Sequence, residues 1–225
     1  MGGAIAQVVA LGVGVSISPL AVIAVTLMLG GRRGRLAAAV FVAAWAFALL
    51  LLGGAVLLLA DEVSASEAGA PAGWVGVVKL LLAALLLVVA ARQWRQRPSG
   101  GEAAQLPAWM ESIEAFSPMK AASTAMLFAA VKPKNLLLTI GAATAIAETG
   151  AKGVDQLAAL IAFAAIGTVG PVFPLVVYLV SGERAEQSLG AMRDWLVREN
   201  TTVIVVLCIL IAAKLAGDAI GTLAA

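Results

Sequence analysis

The chain has 225 residues, of which 62% are hydrophobic and 12% charged, with a formal net charge of +2. A soluble globular domain keeps about a quarter of its residues charged, so this composition excludes an ordinary water-soluble domain and fits a chain whose main solvent is lipid. Histidine is absent and Cys208 is the only cysteine, which rules out an intrachain disulfide and removes the commonest metal ligand and neutral-pH proton carrier.

Apolar runs occupy approximately 4–29, 36–60, 73–92, 120–146, 154–180 and 199–223. Each is long enough to cross a hydrocarbon core, which takes roughly 20 apolar residues. The first run has no basic residue before it, and Arg32, Arg33 and Arg35 follow it. A secretory signal has the opposite order, so a retained first helix is expected. Cys208 lies inside the last run and is read as an apolar filler. The sequence therefore predicts an all-α membrane protein with six transmembrane helices.

The connections alternate in charge. The first carries Arg32, Arg33 and Arg35; the third carries Arg92, Arg95, Arg97 and Lys120; the fifth, from Gly182 to Glu199, carries Arg184, Arg193 and Arg198. The second has Asp61, Glu62 and Glu67 with no base, and the fourth, near Glu148 to Asp155, has Lys152 as its one base. Basic loops stay in the cytoplasm. A multi-pass protein of the cytoplasmic membrane with both termini outside is expected.

The third connection is the longest. Pro98, Ser99, Gly100 and Gly101 make it a linker. Beyond them Trp109, Ile113 and Phe116 recur at helical spacing, opposite Glu111, Ser112 and Glu114. This suits a short interfacial helix, or equally a solvated turn. The linker divides the chain into 1–92, a first three-helix repeat; 93–119, the cytoplasmic connection; and 120–225, a second three-helix repeat. An odd number of spans in each half forces opposite orientations, the arithmetic of a 3+3 inverted-topology repeat.

The two halves share one feature. Ser16-Ile17-Ser18-Pro19 lies in the first run and Lys132-Pro133-Lys134-Asn135 in the fourth. At 1.5 Å per residue, both prolines fall about 20 Å along their helices, near the bilayer centre. Proline lacks an N–H and clashes with the carbonyl four residues earlier, so breaks are expected at Pro19 and Pro133. Freed backbone groups at that depth must be buried in protein or line a cavity. Pro171 and Pro174 lie three apart in the fifth run; they mark either a bend needed for packing or a further unwound wall.

Charges within spans are costly and usually face a cavity or a partner. Lys79, near the outer end of the third run, either snorkels or faces substrate. Lys214 and Asp218 are one turn apart and can form an ion pair; Asp218 is also the one acid that could couple transport to protons. Gly217 and Gly221 beside them form a small-residue face suited to close helix packing. Lys132 and Lys134 have no carboxylate within a turn. They point to an anionic ligand, or else pair with Asp218 or with carbonyls freed by a break. Ser16, Ser18 and Asn135 complete the candidate substrate-binding set.

The Ser18-Pro19 pair and the run Val131-Lys132-Pro133-Lys134-Asn135-Leu136 resemble the lysine-exporter superfamily and, more narrowly, its GAP family of actinobacterial proteins, implicated in addressing glycolipids to the cell surface. The resemblance implies a transporter that exports or flips an anionic glycolipid or lipid-linked sugar. Amino-acid exporters of the superfamily tend to have Asn-Pro-Lys where Lys132-Pro133-Lys134 stands here, and the extra base leans toward an anionic headgroup. A small-solute exporter and a non-transporting scaffold for a lipid-export machine remain alternatives, with membrane lipids and a second copy of the chain as further partners. No enzymic activity is expected, since no nucleophile–base arrangement or metal-ligand cluster is visible. Nothing in the chain points to nucleic acid, a cofactor or a phosphate-binding glycine loop.

Overall fold

The computed structural model describes residues 2–66, 73–96, 113 and 115–224. Among these residues every regular element is helical. The helices are α1 (Gly2–Ser16), α2 (Pro19–Leu29), α3 (Gly34–Ser66), α4 (Gly73–Arg95), α5 (Pro118–Ala130), α6 (Pro133–Glu148), α7 (Val154–Ser181) and α8 (Ala185–Ala224), with a 3-10 turn at Gly182–Arg184 before α8. In a medium without water each backbone N–H and C=O must be satisfied within its own segment, which favours helices for such apolar runs.

Parts of α3, α4, α7 and α8 are long and apolar enough to cross a membrane singly. Two more spans result if the bent pairs α1/α2 and α5/α6 each count as one; the bends are 47° and 64°. The fold is thus all-helical, with four to six candidate spans. Both bends fall at the expected prolines. Pro19 and Pro133 each open the second helix of their pair, where a missing N–H costs nothing because that group has no intrahelical partner.

Two sequence expectations need correction. Pro171 and Pro174 do not break α7, which is continuous from Val154 to Ser181. Pro171 cannot bond the carbonyl of Gly167, but Trp45 Nε1 donates to that oxygen at 3.2 Å. The vacancy is filled from α3 and the helix survives. The fifth connection is also largely helical. Ala185, Leu189 and Leu196 are buried and Met192 packs against the core, so their spacing of three and four residues makes an inward stripe that carries α8 through the connection. At 40 residues, α8 is about 60 Å long, twice a hydrocarbon core of about 30 Å.

Of the interfacial segment expected over 106–116, most lies outside the described residues; Ile113 is buried and Phe116 packs against the core. Around that core, α4 lies along α8, α3 meets α5 and α7, and α1 meets α6 and α7. Helix α2 contacts α3, α7 and α8, while α6 contacts α3, α4 and α7. Trp45, Phe41, Phe163, Leu11 and Leu138 fill the interior. Leu51, Leu58, Leu81, Leu179 and Ile220 are exposed instead, a distribution that water would penalise and lipid would not.

Candidate functional site

The two breaks come together in the interior. In a continuous helix the carbonyl of Gly14 would accept from the N–H of Ser18. Here Ser18 N–H turns to Ser16 O at 2.8 Å, so Gly14 O is released. Lys134 from the other break takes it: its Nζ donates to Gly14 O at 2.7 Å and to Ile17 O at 3.0 Å. Two of its three donors therefore hold the end of α1 against the start of α6. At the second break the corresponding carbonyl is that of Phe128, and Asn135 Nδ2 donates to it at 2.9 Å.

These repairs leave specific groups over. Asn135 is fully buried, yet its Oδ1 has no partner, and neither has the buried Oδ1 of Asn200 on α8. A buried acceptor without a donor costs about 1–3 kcal/mol. Both amides line a cavity of about 200 Å³ together with Ser18, Gln93, Lys132 and Lys134. Lys132 is only partly buried, and its ammonium sits 4.0 Å from the centre of the Phe128 ring. This cation–π contact is worth roughly 0.5–2 kcal/mol, less than a charge-assisted bond to an anion.

Helices α2 and α6 both begin at the cavity, and neither start has a side-chain cap. Free N–H groups and the partial positive charge of a helix start favour anions. The cavity thus offers an ammonium and two helix starts to a negative group, and amide oxygens and the Ser18 hydroxyl to a ligand's O–H or N–H groups. Among the described residues no cluster of three or more His, Cys, Asp or Glu side chains could hold a metal ion.

A family model described as Sap, sulfolipid-1-addressing protein, matches residues 8–221. The chain belongs to that family. The match spans both breaks and every residue lining the cavity. Comparison with curated proteins and with solved structures gave no match.

The other expected site residues of this sulfolipid-1-addressing family member lie elsewhere. Lys79 does not line the cavity: it is buried and ion-paired with Glu148 at the end of α6. Lys214 and Asp218 form the expected ion pair along α8. The close packing expected at Gly217 and Gly221 is not made among the described residues, since a Cβ at either would meet none of them within 4 Å. Ser16 is not among the cavity-lining residues; its Oγ accepts from Gly170 N–H of α7 at 2.9 Å.

Sequence reasoning missed Gln93, Asn200 and Glu148. Gln93 and Asn200 sat at the ends of apolar runs, where polar residues are ordinary. Glu148 follows the fourth apolar run, where the sequence predicts a connection. It missed Gly170 too, although a glycine before a proline in an apolar run is a usable signal of close helix approach.

Proposed function

We propose that this chain moves the headgroup of an anionic glycolipid or lipid-linked sugar across the cytoplasmic membrane by alternating access. The observation that carries this reading is the cavity where the two breaks meet: one ammonium and two uncapped helix starts for an anion, beside unpartnered amide oxygens for hydroxyls. A charged, hydroxyl-bearing headgroup matches both sets. Membership of a family described by sulfolipid addressing agrees with that chemistry, as does the resemblance to glycolipid-addressing proteins of the lysine-exporter superfamily.

The proposal includes six spans in two inverted halves, with the basic connections in the cytoplasm. Its support is the pattern of helix contacts. Exchanging α1, α2, α3 and α4 for α5, α6, α7 and α8 turns α1–α7 into α5–α3, α2–α7 into α6–α3, α2–α8 into α6–α4, and α2–α3 into α6–α7; each of these contacts exists. The largest exception is α1–α6, whose counterpart α5–α2 is not made to a similar extent; the smaller contacts α1–α8, α5–α6 and α7–α8 also lack an equal counterpart. A cavity of about 790 Å³ at Arg32, Arg33, Phe116 and Ser117 lies between the end of α2 and the start of α5. We read this asymmetry as one end of an alternating cycle, closed at α1–α6 and open toward the basic loops.

Two experiments test the reading. In vesicles of phosphatidylcholine with a fluorescent sulfated galactosylceramide, the wild type is expected to move the lipid between leaflets. Lys132→Gln is expected to slow this about tenfold or more, the loss of one charge-assisted contact of about 1.5–3 kcal/mol, with thermal stability lowered by no more than the cation–π contact of about 0.5–2 kcal/mol. Normal movement by Lys132→Gln would refute the site, and no movement by the wild type would favour the scaffold. For the cycle, a Cβ at Gly141 would lie 3.8 Å from the Leu11 side chain. Bridging Leu11→Cys to Gly141→Cys with a short thiol crosslinker, in a Cys208→Ala background, is expected to arrest movement reversibly. Undiminished transport by the bridged protein would rule the cycle out.

A further inference from the structure

The cavity at the breaks, about 200 Å³, is smaller than the roughly 300–1,000 Å³ of a pocket for a drug-sized ligand. It can take a headgroup but not lipid chains. If the proposed substrate is a lipid, its chains must lie somewhere continuous with the headgroup.

The cavity has such a continuation on the side of α4. Val89, Gln93 and Pro133 line both the cavity and a groove of about 500 Å³ between α4 and the α5/α6 break. Leu85, Val88 and Arg92 of α4, with Gln96 just past its end, line this groove, and their spacing puts them on one helical face. Leu136 and Leu137 face them from α6. Leu85, Val88 and Val131 are exposed, so the groove opens on the lipid-facing surface. From Leu85 to Gln96 the lining runs about 16 Å along the helix and changes from purely aliphatic to basic and amide. One membrane leaflet has the same profile, hydrocarbon first and headgroups after.

We propose that this groove is a lateral opening for an acidic membrane lipid, holding an acyl chain along Leu85, Val88 and Leu136 while the headgroup enters the cavity beside Lys132. The proposal rests on the headgroup reading above and assigns the route by which that headgroup arrives. A free anionic solute has no use for an aliphatic groove joined to its site. A lipid needs one, because pulling its chains through a closed protein would cost about 0.8 kcal/mol for each CH₂ exposed to water. Arg92 at the groove's polar end suits the acidic headgroup before it passes inward.

The test places a photo-crosslinking amino acid at Val88, and separately at Leu51 as an exposed control on α3. The full chain is reconstituted in phosphatidylcholine vesicles containing either sulfated galactosylceramide or its neutral parent. Crosslinking at Val88 is expected to favour the sulfated lipid several-fold, with no preference at Leu51, and the preference should vanish with Lys132→Gln. Saturation-transfer NMR with galactose 3-sulfate, which has no chains, reports the headgroup site alone. Binding of that sugar by wild type but not Lys132→Gln, with equal crosslinking at Val88 and Leu51, overturns the lateral route and leaves the headgroup site standing. Absence of both signals overturns both.

Discussion

Lys134→Met is expected to lower the apparent melting temperature of the detergent-solubilised protein by something of the order of 10 °C, whatever it does to transport. Lys134 donates to two carbonyls, Gly14 O and Ile17 O, that the first break has released. Each buried acceptor left without a donor costs about 1–3 kcal/mol, and one kcal/mol corresponds to roughly 2–4 °C for a chain of about this length. Methionine keeps the length and the apolar stem but brings no donor. Some of the loss is offset because a buried ammonium is no longer desolvated. The comparison with Lys132→Gln separates the two lysines. Lys132 sits over the Phe128 ring at the cavity, and its loss is expected to remove only that contact of about 0.5–2 kcal/mol, a smaller drop in melting than for Lys134→Met, while transport falls. If Lys134→Met melts like the wild type, Lys134 is not the clamp of the first break.

Gly170→Ala is expected to be at least as damaging, although alanine is the better helix former. A Cβ at position 170 would stand 1.9 Å from the carbonyl oxygen of Ser16. The obstacle is backbone, so no rotamer change relieves it. Helices α1 and α7 must move apart by about 1 Å or more, which breaks the bond from Gly170 N–H to Ser16 Oγ. Overpacking of this kind costs typically 1–3 kcal/mol and occasionally more, against a gain of about 1 kcal/mol in helix propensity. Gly217→Ala is the matched control: nothing among the described residues lies within 4 Å of its added methyl, so it should be neutral or slightly stabilising. Equal melting of the two variants would show that α1 and α7 do not approach as closely as the structure places them.

These expectations mark where sequence reasoning reached and where it stopped. The apolar runs and the breaks at Pro19 and Pro133 were legible because each follows from local chemistry: run length against bilayer thickness, and a residue without an N–H. The ion pair of Lys214 and Asp218 was legible for the same reason, being one helical turn apart. The same rule misled at Pro171 and Pro174. Proline removes a donor, but whether the helix breaks depends on whether another group can use the released carbonyl, and Trp45 is 122 residues away in sequence.

The site divides in the same way. That Lys132 and Lys134 were unusual could be read from two bases beside a break in an apolar run. Which one faces a ligand and which one holds a helix end could not, because the answer depends on the carbonyls of α1, more than a hundred residues earlier. Lys79 shows the same limit: its partner Glu148 lies 69 residues away. The sequence by itself determined that this is an apolar, all-helical membrane chain with two broken helices and two lysines beside one of the breaks. Only the tertiary structure decided that the breaks meet, that Lys134 closes one of them, and that the acceptors of Asn135 and Asn200 are left over at the cavity. Helix formation and breakage are settled within a few residues of chain, whereas the satisfaction of a buried polar group depends on whichever helix packs against it.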